Sequence, residues 1–357
     1  IFIIIATVII TQTACKKTQE VEPISKEGFY LDTVCKISIY DMDGDLNQEK
    51  AEAVIDKAYK RCRELENTLS NTIESSEVSQ INSAGGNWVT VGKDTLKVVK
   101  AGYKYGELSD GDFDITIGAV SGLWDFQAEK PVVPEQSKIT EALKHVNYKN
   151  IQFDGNKIRL ADSQAKLDLG GIAKGYVADE LTTLLEKEGV TSAVINLGGT
   201  ISTIGSKPDG SPFVIGIEKP YTDRTEIIGT TTAENQTVVT SGIYERQFQQ
   251  NGKIYHHVLS SKTGYPVETQ LEAVSLVAKK GRSMDIDAMS TICLMKGVDG
   301  GKTFIKKQKG VEAVFSAEGK EVAVVDVCAI KPCNEEQIAE LLAKYDVVFT
   351  AEEHNVI

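Results

Sequence analysis

Arg246–Leu259 reads RQFQQNGKIYHHVL. Two short alternating runs meet at Asn251-Gly252, a dipeptide suited to a two-residue hairpin because both central positions of that turn take positive φ. A hairpin this local is antiparallel, unlike the βαβ repeat of a doubly wound sheet. Working outward, IQFDGNKIRL turns at Asp154-Gly155, and Ser192–Ile204 is a strand pair broken by Gly198-Gly199. FVIGIEK, EIIGTTTA, QTVVTSG and LEAVSLVAK add further strands, as do VCKISIY within Thr33–Tyr40, WVTV after Asn87 and Lys166–Leu169. Helical spacing predicts Gln48–Leu69, with Ala51, Val54, Ile55, Ala58, Cys62 and Leu65 inward, and Asp94–Leu108, with Leu96, Val99 and Tyr103 inward. Ile172–Glu188, closed by Gly189, and Ser283–Lys296 are also read as helices. Ser76 is placed to cap EVSQIN, and Asn334 to cap EEQIAELLAKY. Helices and several antiparallel hairpins with few strict βαβ repeats predict an α+β fold.

The chain has 357 residues, 41% hydrophobic and 25% charged, with 8 prolines, the balance of an ordinary folded protein of one large or two ordinary domains. Its formal charge of −12 comes from dispersed acids, and no basic block interleaved with aromatics is present, which argues against nucleic acid as a partner. An acidic protein handling a phosphorylated substrate must neutralise it locally, with a cation, helix N-termini or a few basic side chains.

Residues 1–14 begin with a short apolar run, too brief to span a bilayer but suited to a signal peptide, and read as a truncated leader without its charged start. Thr13 and Ala14 stand directly before Cys15, as in bacterial lipoprotein processing, although Gln12 occupies a place where an aliphatic residue is usual. Cys15 is thus the expected lipidation site, and an ordinary secretory signal is the other reading. Residues 15–27 form the expected tether, 28–327 the folded domain and 328–357 an extension without assigned role. Cys35, Cys62 and Cys293 lie in apolar segments and are expected to be core residues; Cys328 and Cys333 are close enough to bridge in an oxidising compartment. There is no CxxC, which leaves zinc or dithiol redox chemistry with little support.

Three local patterns carry chemistry. In KLDLGGIAKGYVAD, a strand ends at Leu169, Gly170-Gly171 turns, and a helix starts at Ile172. Glycine backbone and free N–H groups at a helix start suit a phosphate, and Lys174 can add a charge; a plain tight turn with Asp168 solvated is the alternative. It is neither a Walker loop nor a GxGxxG turn. In SMDIDAMSTICLMKG, Asp287 and Thr291 share a helix face with Ser290 beside them, while Asp285 lies ~200° away. One carboxylate with hydroxyls suits Mg²⁺ better than zinc, although a solvated Asp/Thr pair would look the same. His256 and His257 fall on opposite faces of their strand, so one can face a cleft as general base and the other pack in the core or meet solvent. Asp110–Phe126, with three aspartates in five positions, is an irregular glycine-rich loop of the kind that often carries function. Nucleophilic hydrolase chemistry has no support, since GxSxG is absent.

Together, SEVSQIN, DFDITIGAVSGLW, LDLGGIAKGYVAD, INLGGTI, TSGIYERQF, YHHVLSSKTGYPV and DAMSTICLMKG resemble the ApbE family of FAD:protein FMN transferases over about Leu31 to Gly297. The resemblance implies a T-fold-related arrangement of largely antiparallel sheets and packed helices around a central FAD cleft. It implies that Leu31, Thr72, Asp112, Phe113, Asp114, Asp168, Lys174 and Val258 contact FAD. It also implies that Gly171, Asp287, Ser290 and Thr291 hold Mg²⁺ and that His257 is the base. The implied reaction transfers FMN to a Ser or Thr hydroxyl of an exported or membrane redox protein and releases AMP, on the extracytoplasmic side of a bacterial membrane. An Mg²⁺-dependent FAD diphosphatase and a flavin-binding lipoprotein without turnover stay open as alternatives. Leu31-Asp32-Thr33 departs from the family's usual Met-Gly-Thr, and Ser260-Ser261 from Asp-Pro.

Overall fold

A computed structural model describes residues 22–44, 46–222, 226–317 and 320–324. The strands are β1 (Ile24–Tyr30), β2 (Thr33–Met42), β3 (Val89–Thr90), β4 (Ile151–Asp154), β5 (Lys157–Leu160), β6 (Val190–Leu197), β7 (Thr200–Ile204), β8 (Phe213–Glu218), β9 (Ile227–Ala233), β10 (Gln236–Gly242), β11 (Gln247–Gln250), β12 (Lys253–His256), β13 (Leu271–Lys279), β14 (Val311–Ala317) and β15 (Lys320–Val324). The helices are α1 (Gln48–Leu69), α2 (Glu77–Ser83), α3 (Lys93–Leu108), α4 (Gly118–Ser121), α5 (Gln136–Leu143), α6 (Ala173–Lys187) and α7 (Ser283–Ile305).

An eight-stranded sheet in the order β1-β2-β6-β7-β10-β13-β14-β15 carries the fold, every neighbouring pair antiparallel. Its strands alternate because one face packs the core: Cys35, Ile37 and Ile39 of β2 are fully buried, with Lys36 exposed between them. Helices α6 and α7 lie against this sheet and α1 against its β1 edge. The β8–β9 hairpin forms a smaller cluster in which Phe213, Ile215 and Ala233 meet Val238 and Val277 of the large sheet. A three-stranded sheet, β3-β5-β4, packs with α2, and Phe153 of β4 meets the edge of Tyr103 from α3. The β11–β12 hairpin closes on an aromatic cluster of Trp124, Phe126, Phe248, Tyr255 and Tyr265.

The α+β expectation holds, and several elements fall where the patterns put them. Helix α1 has the predicted bounds, Asn47 caps it by accepting from Lys50 N, and Ser76 Oγ accepts from Ser79 N to cap α2. Gly198 and Gly199 have φ of 63° and 97°, the left-handed backbone that a two-residue turn between β6 and β7 requires. Cys35, Cys62 and Cys293 are buried and unpaired.

Other readings need correction. Lys166–Leu169 is no strand: its neighbour is the irregular 112–117 segment, so it forms only a single bridge, Ile117 to Lys166, plus an Asp168 N–H to Ile115 carbonyl bond of 2.8 Å. The WVTV strand shortens to Val89–Thr90. The deepest face of α3 is Thr95, Val98, Val99, Gly102 and Tyr105, with Leu96 and Tyr103 at its flank. Helix α7 turns at Gly297, φ 66°, and continues to Ile305. β1 starts within the expected tether, and β14 was not foreseen. Cys15, the leader, Cys328, Cys333 and the helix after Asn334 lie outside the described residues.

Candidate functional site

The site begins at the turn between Leu167 and α6. Leu169 and Ile172, nearly or fully buried, anchor its two sides and leave Gly170 exposed between them. Asp168 shapes the turn from below: Oδ1 accepts from Gly170 N at 2.9 Å and Oδ2 from Ser121 Oγ at 2.6 Å. A side chain on Gly171 would fit tightly, since a Cβ there would stand 3.0 Å from the Phe113 ring and 3.4 Å from Thr291 Oγ1. Gly171 therefore lies directly beside the predicted metal helix.

Gly175 brings that helix in. Its bare Cα lets the start of α7 approach so closely that a Cβ would sit 2.3 Å from the Ser283 carbonyl oxygen, and its N–H donates to Asp287 Oδ2 at 2.8 Å. Asp179, one turn further along α6, caps α7 from outside: Oδ1 accepts from Ser283 N at 2.9 Å and Oδ2 from Met284 N at 3.0 Å. Asp285 points elsewhere, accepting from the Tyr105 hydroxyl.

Asp287 is 4% exposed, and burial pushes its carboxyl up to about 6, against Lys174 and the Gly175 N–H, which favour the charge. Among the described residues its Oδ1 has no hydrogen-bond partner. Thr291 Oγ1 makes only a long contact, 3.4 Å, to the Asp287 carbonyl. A buried carboxylate so lightly compensated, with a hydroxyl one turn on and glycine backbone opposite, is a donor set that fits a hard divalent cation. No cluster of three or more His, Cys, Asp or Glu side chains able to hold a metal occurs among the described residues.

These groups open into one cleft of about 880 Å³, a size suited to a dinucleotide-scale ligand. Leu31, Thr72, Asp112, Phe113, Asp114, Asp168, Gly171, Lys174, His257, Val258, Asp287 and Thr291 all line it. Among the described residues predicted for the site, only Ser290 does not: it is fully buried, its hydroxyl bonded to Ser241 Oγ at 2.7 Å and to the Asp287 carbonyl at 2.8 Å. Asp114 lines the cleft but its oxygens serve the scaffold, accepting from Thr116 N and Oγ1 and from Tyr148 N. Burial works against the Asp112 charge, yet Lys262 and Lys296 outweigh it and hold this carboxyl below the usual range.

The two histidines separate as alternation requires. His256 is 6% exposed and its Nε2 faces the Val267 carbonyl at 3.2 Å, a core position. His257 is half-buried in the cleft wall, its Nδ1 3.3 Å from the Arg246 carbonyl. A carbonyl can only accept, so that contact assigns the proton to Nδ1 and leaves the Nε2 lone pair for chemistry. Desolvation, then the charge of Arg246, then His256, lower the His257 pKa to about 4, which keeps the ring neutral at pH 7.

Sequence reasoning missed Ser121, Gly175, Asp179 and Arg246. Gly175 and Asp179 lie inside the quoted glycine-turn motif, but their partners are more than a hundred residues away, so no local signal distinguishes them from ordinary helix residues.

A family model described as the ApbE family matches residues 31–315. A relative from Klebsiella pneumoniae, named FAD:protein FMN transferase, is 31% identical over 76% of this chain and 84% of its own. One of the same name from Treponema pallidum is 27% identical over 87% and 88%. Among solved structures, the ApbE protein of Thermotoga maritima superposes with a TM-score of 0.75 at 30% identity, covering 85% of this chain and 97% of that one. The flavinyl transferase ApbE of Pseudomonas stutzeri gives 0.73 at 26%, covering 85% and 94%.

Proposed function

The chain belongs to the ApbE family, and from that premise we propose that it transfers FMN from FAD to a Ser or Thr hydroxyl of an acceptor protein, with Mg²⁺, releasing AMP. One observation carries the reading: His257, Lys174, the Gly170-Gly171 turn and the Asp287–Thr291 face converge on a single cleft although up to 121 residues separate them in sequence. The relatives' printed name, FAD:protein FMN transferase, supports the same substrate and reaction.

The residues divide the work. Lys174 and the glycine turn bind the diphosphate, with Asp168 and Ser121 holding the turn rigid. Phe113, Asp112, Leu31, Thr72 and Val258 border the remainder of the dinucleotide. Asp287, Thr291 and the Gly171 carbonyl would hold Mg²⁺, which when bound supplies positive charge to phosphate oxygens. Ser290 supports this face from behind through its bond to the Asp287 carbonyl. His257 takes the acceptor proton at Nε2, and the acceptor oxygen then attacks the FMN-side phosphorus while the bond to the AMP phosphate breaks.

We place the protein on the extracytoplasmic side of a bacterial membrane, lipid-anchored through Cys15; the apolar run and the Thr13-Ala14-Cys15 sequence support this. The acceptor is then an exported or membrane redox protein. Incubation with FAD, Mg²⁺ and a candidate acceptor should give a flavin-fluorescent band that survives denaturing electrophoresis, together with stoichiometric AMP. Rapid free FMN without any acceptor would instead establish a diphosphatase, and FAD binding without AMP release would establish a storage protein.

A further inference from the structure

Three cations line the cleft among the described residues: Arg63, Lys174 and Arg246. Arg63 is already committed. It pairs with Glu66, donates to the Phe29 carbonyl at 3.1 Å, and lies 4.5 Å over the Tyr30 ring. Lys174 belongs to the glycine turn. Arg246 is different, because its backbone and its side chain do separate things.

The Arg246 carbonyl accepts from His257 N at 3.1 Å and faces His257 Nδ1 at 3.3 Å, so the residue is pinned to the base. Its side chain extends along the cleft wall, and its ion-pair partner is Asp32, Nη2 to Oδ2 at 3.8 Å, with side chains 43% and 69% exposed. A pair this long and open is worth little and exchanges partners easily. Asp32 cannot follow freely: it shares with Leu31 the tip of the β1–β2 hairpin, both at positive φ, 57° and 54°. The hairpin tip thus offers a fixed resting counter-ion, and a phosphate entering the cleft offers a better, bidentate one. The need for it follows from the remaining lining: Glu66 and Asp112 have their own cation partners, but Asp114, Asp125, Asp168 and Asp287 face the cleft with no ion pair among the described residues.

We infer that Arg246 is a further catalytic residue, whose guanidinium leaves Asp32 and pairs with the non-bridging oxygens of the FMN-side phosphate as the acceptor oxygen attacks. This rests on the transfer reading above. In the step, the acceptor O–H proton passes to His257 Nε2 and a new O–P bond forms. The bridging P–O bond breaks and AMP departs with the bridging oxygen and its negative charge. Arg246 bears on the negative charge of the non-bridging oxygens of the phosphoryl group under attack, where it stands beside the base; Lys174 serves the turn. The lowered pKa of His257 agrees, because both cations act on it.

The test compares wild type, Arg246→Ala, Arg246→Lys and Asp32→Asn as full chains. AMP release from FAD with MgCl₂ gives kcat and KM, using any acceptor that the wild type labels, and flavin fluorescence gives the FAD dissociation constant without metal. Arg246→Ala should lower kcat by roughly 100-fold or more, the scale of losing a charge-stabilising donor, while FAD binding weakens by less than about tenfold. Arg246→Lys should restore part of kcat, and Asp32→Asn should lower the KM for FAD. A kcat for Arg246→Ala within threefold of wild type overturns the inference. So does a loss matched by an equal loss of FAD binding, or one shared equally by Arg246→Lys with a fall in thermal midpoint. A wild type that neither releases AMP nor labels any protein removes the transfer reading itself; wild-type turnover with an unaffected Arg246→Ala removes only this role.

Discussion

Gly175→Ala tests the junction that builds the proposed metal face. The added methyl would sit 2.3 Å from the Ser283 carbonyl oxygen, 2.6 Å from its carbon and 2.7 Å from Met284 Cα. Ordinary carbon-to-oxygen contacts are about 3.3 Å or more, so α7 must retreat by about 1 Å at its start, and all three obstacles are backbone that cannot rotate aside. Overpacking of this kind costs about 1–3 kcal/mol. The same retreat stretches the 2.8 Å bond from Gly175 N to Asp287 Oδ2, and a hydrogen bond to a charged group contributes about 1.5–3 kcal/mol. The two effects overlap, since one movement causes both, and a total of about 2–4 kcal/mol follows. Because Asp287 itself moves, a misplacement of about 1 Å should also lower kcat by roughly 100-fold. Thermal unfolding and AMP release from FAD across an Mg²⁺ titration measure both, with Gly229→Ala as control, where a Cβ meets nothing within 4 Å. A Gly175→Ala protein that melts with the control and keeps the wild-type Mg²⁺ requirement would falsify the claim that this contact sets the metal face.

His257→Gln should lower kcat by roughly 10²–10⁴-fold with FAD binding largely kept, and the wild-type acid limb should fall near pH 4 rather than 6.5, because the folded pKa of the base is lowered to about 4. His256, also lowered to about 4 by burial, makes the unfolded chain the better proton binder between those values, so stability should be full above about pH 6.5 and decline as pH falls toward 4, and His256→Gln should flatten that slope in urea melts. Asp287 has the opposite sign: raised to about 6 without metal, it must lose a proton to bind Mg²⁺, so apparent Mg²⁺ affinity should weaken by about tenfold per unit below pH 6, and isothermal titration at pH 5 and 7 would show no difference if that is wrong. Asp179→Asn removes the charge from the external cap of α7, and should lower the thermal midpoint while leaving an activity that higher Mg²⁺ partly restores.

What was legible in the sequence is what depends on near neighbours. Asn251-Gly252 and Gly198-Gly199 prescribe their turns within four residues, and the apolar stripe of α1 prescribes both its length and its buried face. Lys166–Leu169 looks like a strand because its residues alternate, but a strand exists only through a partner, and the segment beside it is held irregular by the Asp114 carboxylate. β14 is likewise clear only as the continuation of β13 in the sheet. Leu96 and Tyr103 miss the deepest face of α3 because α3 meets α1 on one side and α7 on another, and a single-stripe reading averages the two.

The site was legible as pieces whose meaning depended on one another. A glycine turn, an Asp/Thr helix face and a histidine in a strand each have an ordinary structural explanation. Gly171, 3.4 Å from Thr291 Oγ1 once given a Cβ, and Gly175, whose N–H reaches Asp287, join the first two into one object. The burial that makes Asp287 an uncomfortable anion is then the same feature that suits it to the proposed Mg²⁺ site. The corresponding logic holds for His257, the proposed base, where burial first and the neighbouring cations second cost it basicity but leave it unprotonated at neutral pH. Arg246 belongs to both halves of that arrangement, orienting the ring through its carbonyl while its guanidinium waits on a weak partner. Nothing in the run TSGIYERQF marks that residue, because its two roles come from the hairpin that follows and from the tip of another hairpin more than two hundred residues earlier.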